Sequence, residues 1–580
     1  MNKYLDEKGL RKDYPTVEAF TTELGKVGIR HQGRRIEIIR LNNITDGYAI
    51  NGWEAMLREN NSGVVDTFRN PKGDPAILRA YNAPLKLAVH TPTPSFTVPN
   101  TVSADIHIIN EEDLNGEFTM VVQLIQDGKV VNESEHAVKV TGGDVYGELL
   151  AEGVKVQVDK PGVSVIKAFL KDTKAEGEME VTAVDISKIQ LPAGKTYAVY
   201  ESANQPQGGG FGGGMGGFGG GRPGGGMGGR GMGGGQQSAS LVSILNAAGG
   251  NFQAFQPGSD MKPDVLVVTQ RYPVPQRIQP NSIATPDGTA GSFRLTFLVD
   301  GEKRAERNVR QLELSFPDGT TPDPNVNMTA GFTVLLEGQY MPSADGNYNF
   351  KIEGPTKADD QLSFKVDGKD VAVGNDGSAT VKLYNGVPAQ IAISMTKKTA
   401  QGIRVLCFPP NGNSVDVNAV VELAKSGTQV IVLNDVSNWA PTIAAANGNL
   451  KYLGDFRLGN NWVGGQYFCK DHPVFNGFLK PAVLDYAFDA AVSNPRSAII
   501  MEGDEELIAG AWHSLGCRMG TAIGRAKTGS GSIFYSTLGL TNYNDPVCRR
   551  LLFNLIEYAA GRDRSDIVDN GHTDSEGNKM

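Results

Sequence analysis

Cysteine and long apolar runs are both scarce in this sequence. Four cysteines among 580 residues are too few for a disulfide-stapled scaffold. Cys407, Cys469, Cys517 and Cys548 also lack C-x-x-C spacing, so a zinc site is not expected. No apolar run reaches the roughly 18 residues that a membrane-spanning helix needs. The charged N-terminal stretch, MNKYLDEKGLRKDYP, has no apolar core of a signal peptide.

Positive charge is also in deficit. Lys and Arg total 55 against 64 Asp and Glu, which gives a formal net charge of −9. This balance argues against nucleic-acid binding, which needs a basic surface to displace the counterions of phosphate. At roughly 150 residues per domain, the length predicts about four domains.

Residues 1–84 carry a mixed pattern. Helical patterning over Val17–Leu24 and Arg34–Arg40 predicts two helices, and GYAINGW at Gly47–Trp53 predicts a short strand. A further helix begins at Pro75, because proline suits the first helical position. These elements bury little surface among themselves, and one strand flanked by helices leaves two open edges that need a cover. We therefore expect the end of a larger sheet or barrel, partly exposed and cleaved first by proteases.

The pattern over residues 85–190 has a period of two. Apolar and polar residues alternate in six segments separated by turns: LKLAVH, SADIHIIN, FTMVVQLIQ, VKVQVD, SVIKAFLK and EVTAVDI. This spacing predicts an antiparallel β-sandwich.

Helices and apolar strands alternate over residues 191–275 and again over 401–565, which predicts an α/β domain with a parallel sheet. The second part begins with GIRVLCF and ends with the helix PVCRRLLFNLIEYAAG. The intervening residues 276–400 are all β, so we interpret them as a β-domain inserted into a loop, where insertions are tolerated. Residues 566–580 form a tail.

A glycine tract at 208–235 separates the first strand and first helix of the α/β domain. The tract contains G-x-G-x-x-G matches, but a dinucleotide loop needs a short turn onto the helix N-terminus. A glycine chain of about 28 residues is instead a flexible coil spanning roughly 30 Å. We interpret it as a disordered insert.

One segment resembles a known enzyme family. DGYAINGWEAMLRENNSGVVDTFRNPKGDPAILRAYNAPL is similar to the end of the catalytic (β/α)8 barrel of family 2 β-galactosidases. The matching positions are Trp53, Gly63, Asp66, Arg69, Pro71 and Lys72. The resemblance implies a barrel remnant over residues 1–84, followed by an immunoglobulin-like sandwich over 85–190.

The resemblance also implies a retaining mechanism with two glutamates about 5–5.5 Å apart. It places both on earlier barrel strands, so we assign no catalytic residue here. Trp53 would stack on a sugar, and Asn51 and Glu54 would bind its hydroxyls. The alternative is that Trp53 only closes the barrel core.

The inserted β-domain resembles the protective-antigen-type (PA-14) domain. The resemblance rests on G-x-Y-x-F at Gly346–Phe350 and on V-D-G-K at Val366–Lys369. In sugar-binding members, adjacent aspartates hold calcium, which suggests a calcium site at Asp359 and Asp360. The alternative is a solvated pair in a surface turn.

The α/β domain resembles the class I glutamine-amidotransferase-like domain, which has a flavodoxin-like fold. The resembling segments are GNNWVGGQYFCKDHPVFNGF, LDYAF and GSGSIFYSTLGL. A working amidotransferase needs a cysteine on a turn after a strand, paired with a histidine. Only Cys517 has a histidine nearby in sequence, His513, and we predict that His472 is structural.

Together these resemblances suggest the C-terminal portion of a family 2 exo-β-glycosidase, inactive alone. The alternative is a non-catalytic accessory protein that binds carbohydrate or supports an assembly. Expected partners are carbohydrate and the missing N-terminal half or a second copy. No cofactor besides calcium is expected. The family favours a periplasmic or extracellular location.

Overall fold

The structure is a computed structural model. It describes every residue except 46, 50–62, 67, 202–239, 274–275, 279, 311–312, 315–322, 327–331, 344, 354–360, 375–376, 398–402, 409–414, 459–465, 493–496, 514–515 and 562–580. The glycine tract and the tail therefore lie outside the described residues. The chain divides into two compact units, Met1–Gln270 with Asp416–Met580, and Arg271–Val415. Among the described helices, none is long and apolar enough to cross a membrane.

The N-terminal segment contains three helices, α1 (Asn2–Glu7), α2 (Val17–Arg40) and α3 (Pro75–Tyr81). The Thr16 side chain caps α2 by accepting a hydrogen bond from the Ala19 N–H at 3.0 Å. The two helices predicted over Val17–Leu24 and Arg34–Arg40 are thus one helix of 24 residues. Gly25, Gly28 and Gly33 broke the periodic pattern without ending the helix.

The helices of this segment are covered by a distant part of the chain. Apolar side chains of α1, α2 and the turn between them pack on the large sheet of the C-terminal half. The shared cluster comprises Leu5, Leu10, Tyr14, Phe20, Leu24 and Val27 with Phe468, Val483, Leu507, Trp512 and Met519. Phe20 and Phe468 meet edge to face with ring centroids 4.9 Å apart.

Residues 85–184 form two packed sheets. The strands are β1 (Leu85–His90), β2 (Ser95–Thr97), β3 (Asn100–Asn110), β4 (Gly116–Gln126), β5 (Lys129–Val140), β6 (Gly147–Val158), β7 (Gly162–Leu170) and β8 (Glu176–Val184). One sheet has the order β1-β3-β6 and the other β2-β8-β7-β4-β5. Every neighbouring pair is antiparallel except β2 with β8. Their inward residues form one apolar core.

The first part of the α/β layer follows. Its elements are β9 (Tyr197–Tyr200), α4 (Leu241–Ala247), β10 (Phe252–Ala254) and β11 (Val265–Val268). After β11 the chain enters the second compact unit at Arg271.

The second unit is all β. Its strands are β12 (Gln276–Arg277), β13 (Ile283–Ala284), β14 (Phe293–Val299), β15 (Glu302–Val309), β16 (Glu313–Leu314), β17 (Phe332–Tyr340), β18 (Gly346–Glu353), β19 (Gln361–Val366), β20 (Lys369–Val371), β21 (Ser378–Leu383), β22 (Ala389–Lys397) and β23 (Ile403–Phe408). One sheet runs β15-β14-β17-β22-β19-β20 and the other β12-β23-β18-β21. In the G-x-Y-x-F segment, Tyr348 and Phe350 are buried in the core between them.

The prediction that GIRVLCF belongs to the parallel sheet is wrong. Its strand β23 pairs antiparallel with β18, with Phe350 opposite Cys407. A short apolar strand reads the same in a parallel sheet and in a sandwich core, so periodicity could not separate the two. The V-D-G-K segment is a hairpin turn, in which Asp367 and Gly368 have φ of 51° and 76°.

The rest of the α/β layer completes the first unit. Its elements are α5 (Val417–Ser426), β24 (Gln429–Val432), α6 (Val436–Asn447), β25 (Leu450–Arg457), β26 (Gln466–Cys469), β27 (Ala482–Val483), α7 (Asp489–Val492), β28 (Ser497–Gly503), β29 (Glu505–His513), β30 (Arg518–Thr528), β31 (Gly531–Ser536) and α8 (Pro546–Ala559). The sheet order is β10-β9-β11-β24-β31-β30-β29-β26-β27, parallel as far as β31 and antiparallel beyond it. The sheet is therefore mixed rather than wholly parallel.

Helix α8 ties the α/β layer to the sandwich. Arg550 donates to the carbonyls of Asp185 and Lys188 in the connecting segment, at 3.2 and 3.4 Å. The buried Glu557 accepts from the Gln190 N–H at 3.0 Å and from Arg550 at 3.3 Å. The connection is thus held by buried polar bonds.

Candidate functional site

The residues predicted to bind a ligand lie outside the described residues. Asn51, Trp53 and Glu54 fall in 50–62, and Asp359 and Asp360 fall in 354–360. The sugar-stacking and calcium assignments therefore stay predictions. Within the described residues, no group of three or more His, Cys, Asp or Glu is arranged to hold a metal ion.

One carboxylate organises the turn that carries the family resemblance. Asp66 Oδ1 accepts hydrogen bonds from the N–H groups of Phe68 and Asn70, both at 2.8 Å. The Asp66 N–H donates to the Asn70 carbonyl at 2.8 Å, and Asn70 Nδ2 donates to Asp66 Oδ2 at 3.1 Å. An aspartate is needed here because its two oxygens satisfy three donors at once.

The other matching residues within 63–72 belong to the same turn. Val65 and Pro71 form an antiparallel bridge at its base. Gly63 and Arg69 have φ of 76° and 67°, in the left-handed region that glycine occupies without strain. These residues therefore fix the backbone conformation of one turn.

The turn is seated on α2. A Cβ added to Gly25 would lie 1.8 Å from the Lys72 carbonyl oxygen, so only glycine permits this approach. Directly afterwards, Asp74 caps α3 by accepting from the Ala76 N–H at 2.8 Å, with Pro75 at the first helical position.

The C-terminal half of α2 is tied to the sandwich by a buried carboxylate. Lys86 Nζ lies 3.2 Å from Glu37 Oε2, and His90 Nε2 lies 3.4 Å from Glu37 Oε1. Nearby, the Arg40 guanidinium donates to the carbonyls of Tyr81 and Ala83 at 2.7 and 2.8 Å. Residues 1–84 thus contact both the large sheet and the sandwich.

A second place for a site is the carboxyl edge of the parallel strands. The order β10-β9-β11-β24-β31 corresponds to 2-1-3-4-5, the flavodoxin-like order. The strands are added in one direction from β9 to β10 and in the other from β11 onward, and ligands of such sheets bind outside the carboxyl ends where this order reverses. Along the chain, the glycine tract follows β9 and the second unit follows β11.

A side chain of the protein already takes the anion position at this edge. Glu201 follows β9, and its carboxylate accepts from the N–H groups of Leu241 and Val242 at 2.8 and 3.3 Å. These are the first amides of α4, where a dinucleotide fold would hold phosphate. Burial, with a smaller effect of the Glu201 charge, raises the pKa of Tyr543. The arrangement gives a phosphate no free amides there.

The strand-to-helix turn after β24 holds an aspartate that the sequence analysis missed. Asp435 has φ 52° and ψ 34° and directly precedes α6. Its carbonyl accepts from the Asn438 N–H at 2.8 Å, while its exposed side chain makes no capping bond to the helix. Aspartate adopts the left-handed region more readily than most residues, and Asp127 and Asp300 also do so, so the backbone alone assigns Asp435 no chemical role. The available signal was Asn-Asp between an apolar strand and a helix.

The cysteines do not occupy that turn. Cys407, Cys469 and Cys548 are buried, and burial raises the pKa of the first two to about 12. Cys517 is exposed in the β29–β30 hairpin, where the His513 Nδ1 atom accepts from the Gly516 N–H at 2.9 Å. Buried thiols of high pKa are poor nucleophiles.

His472 has the geometry of a structural residue. Its Nδ1 atom accepts from the Val474 N–H at 3.2 Å, and its Nε2 atom lies 3.5 Å from Glu506 Oε1. Tyr558 donates to the same oxygen at 3.1 Å, and Arg525 lies 3.3 Å from the other. The bond from His472 is the largest of the effects that lower the pKa of Glu506 to about 2.

No protein-family model matches this chain, and a search of curated proteins finds no match. Among solved structures, the chain is similar to a β-glucosidase from Kluyveromyces marxianus, at 15% identity and a TM-score of 0.20 over 27% of this chain and 20% of that one. It is similar to a GH31 α-xylosidase from Xanthomonas citri, at 14% identity and a TM-score of 0.21 over 31% and 24%. An epithelial adhesin 9 A domain from Candida glabrata, solved with Galβ1-3GlcNAc, matches at 15% identity and a TM-score of 0.18 over 24% and 90%.

These neighbours are glycoside hydrolases and a carbohydrate-binding adhesin, at low TM-score and partial coverage. This chain spans about a fifth to a quarter of the length of the two glycosidases. Their likeness carries no argument on family or activity. The structure itself shows a β-rich, multidomain fold with some helices.

Proposed function

We propose that this chain is the C-terminal, supporting portion of a family 2 exo-β-glycosidase, of the retaining, β-galactosidase-like type, and that it is inactive alone. The supporting observation is the turn at residues 63–72. Five of the six positions that carry the resemblance fall in this turn, as the Asp66 hydrogen bonds and the left-handed Arg69 illustrate.

The packing of residues 1–84 also suits a supporting role. Helix α2 runs about 36 Å at 1.5 Å per residue. One end packs on the large sheet through Phe20 and Leu24, and the other contacts the sandwich through Glu37. Such a bracket would hold the end of a barrel against both later domains.

Buried carboxylates support the absence of activity. A general acid needs a raised pKa and access to substrate. Burial raises the pKa of Glu505, but its side chain has no exposed surface and is hydrogen-bonded to Lys8. Glu37 and Glu557, also buried, face cationic side chains. None of these three is placed to protonate a glycosidic oxygen.

The second candidate is a non-catalytic accessory protein that binds carbohydrate. The observation that favours it is Phe68, which is 83% exposed on the Asp66-held turn. An exposed aromatic ring on a fixed backbone offers an apolar face to the C–H groups of a sugar at little entropic cost.

The test is hydrolysis of p-nitrophenyl β-galactoside and other aryl glycosides by the purified, folded chain. We expect no turnover. Turnover would contradict the proposal, and Glu54 and Glu59 would then be replaced first. Binding of galactose and oligosaccharides is measured in parallel by calorimetry. Binding lost in Phe68→Ala but kept in Tyr384→Ala, a change at another exposed aromatic, would favour the accessory protein.

A further inference from the structure

Three buried polar atoms lie where α2 crosses the sheet. They are the amide oxygens of Gln32 and Gln466 and the indole Nε1 of Trp512, and none has a hydrogen-bond partner among the described residues. Gln466 and Trp512 are each only 5% exposed. An unpaired buried amide or indole is destabilising, so three at one place call for a partner.

The fold brings the three side chains together. Gln466 and Trp512 are direct partners in the β26–β29 ladder, so their side chains leave the same face of the sheet. The Gln466 Nε2 atom lies 3.9 Å from the position of a Cβ on Gly28. Gln32 is one turn beyond Gly28 on the same face of α2. Trp512 also belongs to the apolar cluster beneath α2.

The hydrogen-bonding needs of these three atoms determine which kind of molecule can bind between them. Two amide oxygens need two donated hydrogens, and the indole N–H needs one acceptor. A single water molecule supplies both donors and the acceptor, and buried waters make about three hydrogen bonds. A metal ion would satisfy the oxygens but repel the N–H, and an anion would do the reverse.

We propose that α2 and strands β26 and β29 enclose a water-binding site formed by Gln32, Gln466 and Trp512. The water bridges the N-terminal segment to the sheet with polar bonds that the apolar cluster cannot make. The site is independent of the proposed function, since none of its residues belongs to the turn at 63–72 or to the carboxyl edge.

Gln466→Met tests the site, because the direction of the Tm change distinguishes a water-filled site from a dry one. If water bridges the three groups, the change leaves one O–H of the buried water without an acceptor, and we expect the Tm to fall by about 1–2 °C. If the site is dry, methionine removes an unsatisfied buried amide and the Tm rises. Gln253→Met, at an exposed strand position, is the matched control and should leave the Tm unchanged.

A crystal structure at high resolution gives the second readout. The proposal predicts one density peak within hydrogen-bond distance of both amide oxygens and the indole nitrogen, absent in Gln466→Met. A protein side chain in that place, or no peak with an unchanged or higher Tm, would overturn it. Either measurement decides the matter without knowledge of any substrate.

Discussion

Replacing Lys8 by methionine should lower the free energy of unfolding by more than its position near the N-terminus suggests. Lys8 Nζ donates to Glu505 Oε2 at 2.7 Å and to the Met501 carbonyl at 2.8 Å. The Glu505 side chain has no exposed surface, and Thr521 donates to the same oxygen at 2.8 Å. Without Lys8, the carboxylate stays buried with only a hydroxyl as partner.

The magnitude follows from the burial of the pair. Removing one partner of a buried ion pair costs about 3–5 kcal/mol, because the other charge is left uncompensated. We expect a loss of that size in Lys8→Met, measured by urea denaturation with circular dichroism. Lys3→Met is the matched control, since Lys3 and Glu7 form an exposed pair that should contribute little.

The pH dependence gives a second check. Burial raises the pKa of Glu505 above its ordinary 4.5, and Lys8 opposes that shift. A raised folded pKa contributes stability that is present below 4.5 and is lost as the pH rises through the folded value. Lys8→Met should therefore recover stability on acidification, and adding Glu505→Gln should restore much of it at neutral pH. Equal urea midpoints for Lys8→Met and Lys3→Met would refute the reasoning.

Three further outcomes follow from the described contacts. Asp66→Ala should lower the Tm and speed proteolysis at the turn, because two N–H groups lose their acceptor. Unchanged proteolysis would contradict the view that Asp66 holds this turn. Arg550→Met should cost about 3–5 kcal/mol in urea denaturation by leaving Glu557 buried without its cation, and a near-neutral result would contradict that. The depressed pKa of Glu506 contributes stability above its ordinary 4.5 that is lost as the pH falls towards about 2. His472→Ala should therefore move the acid transition to higher pH, as followed by fluorescence, and an unmoved transition would show that His472 does not set that pKa.

Local periodicity predicted much of the β structure. The six alternating segments over residues 85–190 are strands, because a period of two reports one buried face whatever the neighbours are. It could not reveal β5 (Lys129–Val140), whose first residues are exposed at a sheet edge and carry charges instead of an apolar alternation.

Long-range pairing was not predictable. Local pattern could not name the partners of Phe20 and Leu24, because the residues that cover them follow more than 400 positions later, at Phe468 and beyond. The same limit applies to GIRVLCF, whose sheet was decided by the antiparallel partner β18.

The candidate site shows the same difference between local features and features that depend on distant partners. The resemblance singled out Asp66 and Arg69 but predicted no turn, and the structure places both in one local turn. Asp435 was missed because its left-handed backbone is visible only once β24 and α6 are placed around it. Glu201 was missed because its partners follow the glycine tract.

The most direct test of the proposed function is the mass of the intact chain after incubation with a fluorinated β-galactoside that traps the glycosyl-enzyme of retaining enzymes. A retaining catalyst forms a covalent sugar ester on its nucleophilic carboxylate. We predict an unchanged mass for the folded chain, because the described residues provide support and no nucleophile is assigned. A one-sugar adduct would contradict this, and peptide mapping would then identify the carboxylate.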